Sequence, residues 1–487
     1  MSSGETRTTR IASTALDGSA LKAILTPKFA APAVSIIGSL LAVSSLLDDR
    51  GDQFALVVAQ SASVLWLAQL GWSQTRGWAT ATVLVAVAWI PILLISSWIY
   101  VIDRGLLDVG SLTQALALIE LSLLALIGGV LAVRRRTTSQ PPPTIEQVPS
   151  VVAPRWLIGW SLLGVAGLAV VLGSAGGPAS YVHNFNHGIA LTQGKVYFIV
   201  AANALLFAAQ LVVYLRWSRG LNVDRRAVGG FVVAMALVAV LGARELLVIA
   251  LAQTVLFYCL TRPRRHLRAI AIACVVGAAV ITLVVGAVRR YSNYQAAHPG
   301  TRVGLARYLW SIAPGEVPQA YAQNYADGVR LTALSRATVP RYADYEYGKE
   351  LLRLLVQPLP SGIRPEVRPS PPLKAALYPG GGVYAQPLQV VSYLQFGVPG
   401  VVLVFLGLGA ALTKLDGFIA RLRRARPSTL VLLTGTMIEI LAVMRGASAP
   451  SVGYAIASLA LMYVVSRTTE QPLTNSQPRS SGGDDAA

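Results

Sequence analysis

The stretch Ser111–Arg136, SLTQALALIELSLLALIGGVLAVRRR, decides the fold class. It carries a single acid, Glu120, and ends on Arg134, Arg135 and Arg136. About 20 apolar residues let a helix cross roughly 30 Å of hydrocarbon. Lipid offers the backbone no water to bond, so a span of this kind is a helix. The short alternating strands of a membrane barrel are absent. Three arginines at the end of an apolar run mark a cytoplasmic boundary.

Working outward, the same pattern recurs. The chain has 487 residues, of which 13% are charged, and a mean hydropathy of +0.57. A water-soluble domain carries about 25% charged residues. Spans are expected at about 29–47, 53–71, 78–100, 111–133, 156–174, 196–215, 228–242, 246–260, 269–288, 390–413, 428–445 and 452–466. The first could be read as a signal peptide with a weak cleavage site at Ala42-Val43-Ser44. Its long polar leader and the spans that follow favour a retained helix.

The formal net charge of +19 suggests a nucleic-acid partner, but its distribution argues against one. The basic residues cluster beside alternate span ends, at Arg134–Arg136, Arg216–Arg226, Arg262–Arg268 and Lys414–Arg426. Outside the longest loop, roughly 24 basic residues fall on one side and about 5 on the other. That bias places both termini in the cytoplasm and the loop 289–389 outside. Cys259 and Cys274 lie at or within spans, which argues against a disulfide framework.

The predicted organisation is a cytoplasmic tail over 1–28, four spans over 29–133 and a proline-bearing cytoplasmic linker over 134–155. Five more spans over 156–288, the outer loop 289–389, three spans over 390–466 and an unstructured cytoplasmic tail over 467–487 complete it. The fold class expected is an all-α polytopic membrane protein. It has about 12 transmembrane helices and a large, partly helical extracytoplasmic loop.

Arg244 stands in Leu241-Gly242-Ala243-Arg244-Glu245, a very short turn between two spans on the outer side. It either snorkels to the headgroups and pairs with Glu245 or presents its planar fork to a phosphate. The outer loop adds Arg289, Arg290, Arg302, Arg307, Arg330, Arg336, Arg341, Arg353, Arg364 and Arg368. Its acids include Glu316, Asp327, Asp344, Glu346, Glu350 and Glu366, leaving a net charge of about +6. Its many tyrosines can stack on sugar rings or anchor the loop at the membrane interface. Arg445, at the outer end of its span, is a second candidate for gripping phosphate.

His298 in the loop is a candidate base, and a solvated side chain is its default reading. His183 and His187 are four apart but have no acidic or Cys companion, so a metal site there is weakly indicated. Glu120 and Glu439 are acids within spans, expected to face the bundle interior and to pair with arginine or relay protons. No phosphate-binding loop, zinc-protease motif, nucleophile elbow or dinucleotide fingerprint is present.

The arrangement resembles the Wzy-type O-antigen and oligosaccharide repeat-unit polymerases. The likeness covers mainly Gly242 to Gly400. Gly242-Ala243-Arg244-Glu245 resembles the family's Gly-x-Arg turn before a hydrophobic span. Tyr347-Gly348-Lys349-Glu350-Leu351-Leu352, then Pro358-Leu359-Pro360 and Arg364-Pro365-Glu366-Val367-Arg368-Pro369, resemble the late part of its outer loop. Tyr393-Leu394-Gln395-Phe396-Gly397-Val398-Pro399-Gly400 resembles the Phe-Gly-x-x-Gly start of its next span. Members often carry a carboxylate shortly before the Phe-Gly pair, where this chain has Val391.

The resemblance implies a membrane glycosyltransferase that polymerises polyprenyl-pyrophosphate-linked oligosaccharides at the outer face of a bacterial inner membrane. Arg244, Arg289, Arg290, Arg364, Arg368 and Arg445 would bind the pyrophosphate. Arg244 with Glu245, Glu366 and His298 would be the catalytic candidates, the last three as the base. No metal and no cofactor are expected, because no carboxylate cage is evident. Partners would be the lipid-linked oligosaccharide, membrane lipids and a chain-length regulator, with no nucleic acid. A ligase handing the glycan to another acceptor fits the same residues. A flippase or transporter of lipid-linked sugar is the rival from another class, disfavoured by the large loop and the lack of a visible internal repeat.

Overall fold

A computed structural model describes residues 27–48, 52–75, 80–102, 109–133, 145–148, 150–177, 196–218, 225–239, 244–261, 327–356, 386–422, 424–447 and 449–472, with isolated positions between 291 and 310. The described residues are mostly helical. Seven of their helices are long and apolar enough to cross a membrane.

In chain order the helices are α1 (Pro27–Asp48), α2 (Gln53–Thr75) and α3 (Ala81–Trp89), which continues through a π-helical turn (Ile90–Leu94) into α4 (Ile95–Ile102). Then come α5 (Val109–Val133), α6 (Pro154–Ser174), α7 (Val196–Ser218), α8 (Arg225–Ala239) and α9 (Arg244–Thr261). Two short helices, α10 (Asp327–Thr338) and α11 (Lys349–Val356), precede α12 (Leu388–Arg421), α13 (Pro427–Arg445) and α14 (Ala449–Thr469). Each expected span except that at 269–288 coincides with a helix in this series, and 269–288 lies outside the described residues. Pro91 opens the π-helical turn. Lacking an N–H, a proline breaks the ordinary helical ladder.

Large apolar side chains face outward along these helices, among them Ile36, Ile37, Leu40, Leu65, Ile158, Leu162, Val232, Val233, Leu403 and Val404. In water such a surface would aggregate; in lipid it is the expected exterior. Inside, close contact is made by small residues. Gly129 of α5 and Gly409 of α12 let the two backbones touch, since a Cβ at either would lie 2.1 Å from a carbonyl oxygen of the other helix. Gly164 and Gly167 do the same for α6 against Leu205 and Phe198 of α7. Small residues at helix crossings are how bundles in lipid gain packing contact.

One end of the bundle is gathered by four short strands, so the structure is not purely helical. Glu146–Gln147 (β1) pairs in parallel with Arg424–Ala425 (β3). Ser150–Val152 (β2) pairs antiparallel with Glu470–Pro472 (β4). The Ile145 N–H also donates to the Leu260 carbonyl at the end of α9. Part of the linker is thus built into the bundle rather than left as a polar tether. The expectation of an unstructured tail from Arg467 is likewise corrected over 467–472, where α14 finishes and β4 forms. Backbone pairing with β2 and the buried Glu470 hold this segment, interactions that composition does not reveal.

Two carboxylates at this end, Asp416 of α12 and Glu470 of β4, cap helices elsewhere in the chain. Asp416 of α12 accepts from the Ala81 and Thr82 N–H groups at 2.6 and 3.2 Å and from the Thr82 hydroxyl at 2.6 Å. Glu470 accepts from Ser428 N–H at the start of α13 at 2.9 Å and from the Ser150 hydroxyl at 2.8 Å. The first N–H groups of a helix have no partner within it, and an acid there also meets the helix dipole. Glu146 and Arg424 form an exposed bidentate pair. Hydrogen bonding to Arg424 holds the Glu146 carboxyl below the usual carboxylate range. The pair therefore supports the fold at neutral pH and loses that share as pH falls through the lowered value.

Two outcomes follow for the purified protein. Gly409→Ala should lower unfolding stability in detergent by about 1–3 kcal/mol, whereas Gly407→Ala, with no atom within 4 Å of the added carbon, should be neutral; equal melting temperatures would refute the close crossing. Glu470→Ala should cost about 1–3 kcal/mol by stranding two buried donors, and should exceed the effect of Arg424→Ala at the exposed pair.

Candidate functional site

The opposite end of the bundle carries α10, α11 and the start of α12. α10 packs against α5, α4, the π-helical turn and α12. Gly328 lies so close to Leu93 that a Cβ would sit 2.8 Å from its side chain. Leu93 is midway along the Ala81–Ile102 segment, so this part of the 289–389 loop is wedged into the bundle. The hydroxyls of Thr332, Ser335 and Thr338 donate to carbonyls four residues back, at 2.6 to 2.7 Å. Bonding within the helix lets a polar sequence be buried.

α12 is broken near its start. Phe396 (φ −142°, ψ 17°) and Gly397 (φ 67°, ψ −155°) leave helical geometry, and Pro399 follows. Gly397 occupies a conformation that only glycine adopts readily, and a Cβ there would lie 3.0 Å from the Tyr345 hydroxyl oxygen. The break frees the carbonyls of Leu394 and Gln395. They accept the N–H groups of Glu346 and Tyr347 at 2.8 and 3.1 Å. Gln395 Oε1 accepts Gly348 N–H at 2.8 Å, and Gln395 Nε2 donates to Glu346 Oε2 at 3.0 Å. Arg353 completes the knot by pairing with Glu346 and Glu350. The stretches Tyr347–Glu350 and Tyr393–Gly400 therefore form one hydrogen-bonded unit.

Beside it lies Arg336. Its Nη1 donates to the Tyr393 hydroxyl at 2.9 Å, and the guanidinium carbon lies 5.2 Å from that ring's centre. The Tyr393 hydroxyl in turn donates to the Val339 carbonyl at 2.7 Å. Arg336 Nε is buried with no hydrogen-bond partner among the described residues. Tyr345 sits edge-on to Tyr393 at 6.0 Å.

The expected site residues are placed as follows. Arg244 and Glu245 begin α9, and the structure describes their backbone only. Gln253 Nε2 of α9 donates to Val431 O and Thr434 Oγ1 of α13 at 3.0 and 3.3 Å. At about 1.5 Å per residue, Arg244 lies some 14 Å beyond Gln253 and Arg445 a similar distance beyond Thr434. The two helix ends therefore reach the same level. Arg445 is half-buried there. Just past it, Ala447 N–H donates to the Gln386 carbonyl at 2.7 Å, which ties this level to the start of α12. Arg289, Arg290, His298, Arg364, Glu366 and Arg368 lie outside the described residues, as do His183 and His187.

The acid Glu120 belongs elsewhere. It is fully buried on α5, where Ser63 donates to it at 2.7 Å and Ser35 lies 2.6 Å from Ser63. Of the two expectations, an arginine partner or a proton relay, the first is not met among the described residues, where its partner is this serine chain. Glu439 is buried on α13.

Arg336 and Glu346 stand in the sequence only among the loop's charges, and Tyr393 and Gln395 only within the stretch that carries the resemblance; none of the four is among the expected site residues. The usable signal was the Gly397-Val398-Pro399-Gly400 run, which marks a broken helix whose freed carbonyls need donors. Comparison with known protein families, curated proteins and solved structures finds no match.

Gly397→Ala should destabilise the protein by about 1–3 kcal/mol, the cost of forcing a strained backbone conformation. Protection of the Glu346 and Tyr347 amides from hydrogen exchange should fall with it. Unchanged protection would mean that the break does not organise the loop.

Proposed function

We propose that this chain is a polytopic glycosyltransferase of about 12 spans. It would join polyprenyl-pyrophosphate-linked oligosaccharide units at the outer face of a bacterial plasma membrane, with both termini cytoplasmic. One observation carries the reading furthest. The two stretches bearing the likeness to repeat-unit polymerases, Tyr347–Glu350 and Tyr393–Gly400, fold into one unit through Gln395. That unit lies at the end of the bundle where α9 begins with Arg244 and α13 finishes with Arg445.

The reaction breaks the bond between the donor's anomeric carbon and its phosphate oxygen. It forms a bond from that carbon to an acceptor hydroxyl oxygen. The hydroxyl proton passes to a base, for which Glu245, Glu366 and His298 are the candidates. The pyrophosphate leaves with the bonding electrons, and guanidinium groups stabilise its charge as it develops. Arg244 is the first candidate for this work, with Arg289, Arg290, Arg364, Arg368 and Arg445 around it. A transporter of lipid-linked sugars is the rival class, and the buried Ser35–Ser63–Glu120 chain is the feature that favours it.

Proteoliposomes carrying a defined lipid-linked repeat unit test both readings. The unaltered protein should build a ladder of polymer lengths. Arg244→Ala should lower the rate about 10²–10³-fold, and Arg244→Lys should also be impaired because an ammonium lacks the bidentate fork. A normal ladder from Arg244→Ala removes Arg244 from the chemistry. Substrate crossing the bilayer without a ladder supports the transporter, and transfer only to a foreign acceptor supports a ligase.

A further inference from the structure

The short helix α11 turns two leucines outward while its paired charges are largely buried. On a helix facing water, charged residues point outward and apolar ones inward. Here the Arg353, Glu350 and Glu346 side chains are only 16, 12 and 5% exposed, locked in mutual ion pairs. Leu352 and Leu355, one turn apart on a shared face, are 48 and 76% exposed. The ion pairs fix which way the helix faces, because turning the leucines inward would carry paired charges outward. The outward face of α11 therefore presents Leu352 and Leu355 to whatever surrounds it.

The surroundings say what it is. Tyr347, just before α11, is 70% exposed, and Phe396 at the α12 break is exposed beside Gly348. From Phe396 the apolar surface continues down α12 through Leu403 and Val404, on a helix long and apolar enough to cross a membrane. α11 itself rests on α12 and α14. Exposed Lys349 stands at its first turn. Leucines flanked by tyrosine and lysine, continuous with a lipid-facing helix, are the composition of the boundary between acyl chains and headgroups.

We propose that α11 is seated in the bilayer interface at the loop-bearing end of the bundle, with Leu352 and Leu355 inserted among the acyl chains. The seat holds the Glu346–Gln395 knot and the α12 break at the depth where a lipid-linked phosphate stands. The proposal requires that the bundle spans a bilayer; it does not require glycosyl transfer.

Nitroxide labelling of the full chain in lipid nanodiscs tests it. The background is Cys259→Ser with Cys274→Ser, and single labels are introduced by Leu352→Cys, Leu355→Cys and, as a water-facing reference, Asp344→Cys. At 352 and 355 collisions with oxygen, which concentrates in lipid, should exceed collisions with a soluble nickel chelate; at 344 the order should reverse. Nickel collisions at 355 matching those at 344 would place α11 in water and overturn the proposal. Exclusion of both reagents would overturn it too, showing a cover made by the chain itself or by a second copy. All three positions are exposed, so the labels leave the packing intact, and a size-exclusion profile matching the unaltered protein confirms this for each.

Discussion

A backbone amide without a partner is what this structure cannot tolerate. Within lipid an unmade hydrogen bond costs several kcal/mol, and helices satisfy every group except those at their ends and breaks. The arrangement is most specific at those places. Asp416 supplies acceptors for the start of α3, and Glu470 does so for the start of α13. The interrupted α12 receives its missing donors from Glu346 and Tyr347. Each case joins distant parts of the chain, so the same constraint that forces helices also decides how they are tied together.

That constraint separates the two ends of the bundle in character. At the linker end the ties are carboxylates and short strands. At the loop end the ties run from loop backbone to a broken helix, and charge sits among them. Arg353 is consumed by Glu346 and Glu350. Arg336 is held on a tyrosine by one nitrogen while its Nε has no described partner. The first guanidinium is structural. The second is oriented by the Tyr393 hydroxyl and ring.

Much of the helical frame was legible in the sequence because long apolar runs leave the backbone one choice. The run at Ser111–Val133 reappears as most of α5, whereas Arg244 and Glu245, expected in a short turn, already belong to α9, and 240–243 lie outside the described residues. The 289–389 loop resisted reading for a physical reason. α10 buries Thr332, Ser335 and Thr338 by turning their hydroxyls onto the helix's own carbonyls. A composition-based reading sees a polar segment and leaves it outside. The Tyr347–Glu350 and Tyr393–Gly400 stretches both stand out in the sequence, but their pairing shows only through Gln395, since contacts across such a separation have no periodic signature. The arginine candidates were chosen by position along the chain, whereas Arg336 is distinguished by what Tyr393 does to it.

The seam between β2 and β4 joins residues about 320 positions apart, as the Ser150–Glu470 bond does. Ribosomal synthesis delivers β2 long before β4 exists, and domains generally fold as they emerge. Throughout that interval β2 has no β4 to pair with, and α13, once made, lacks its capping carboxylate until residue 470 follows, 42 positions after Ser428. Closure of this face therefore reports that translation has passed residue 472. A nascent chain halted earlier would present an unzipped edge to the chaperones and proteases that survey unfinished membrane proteins.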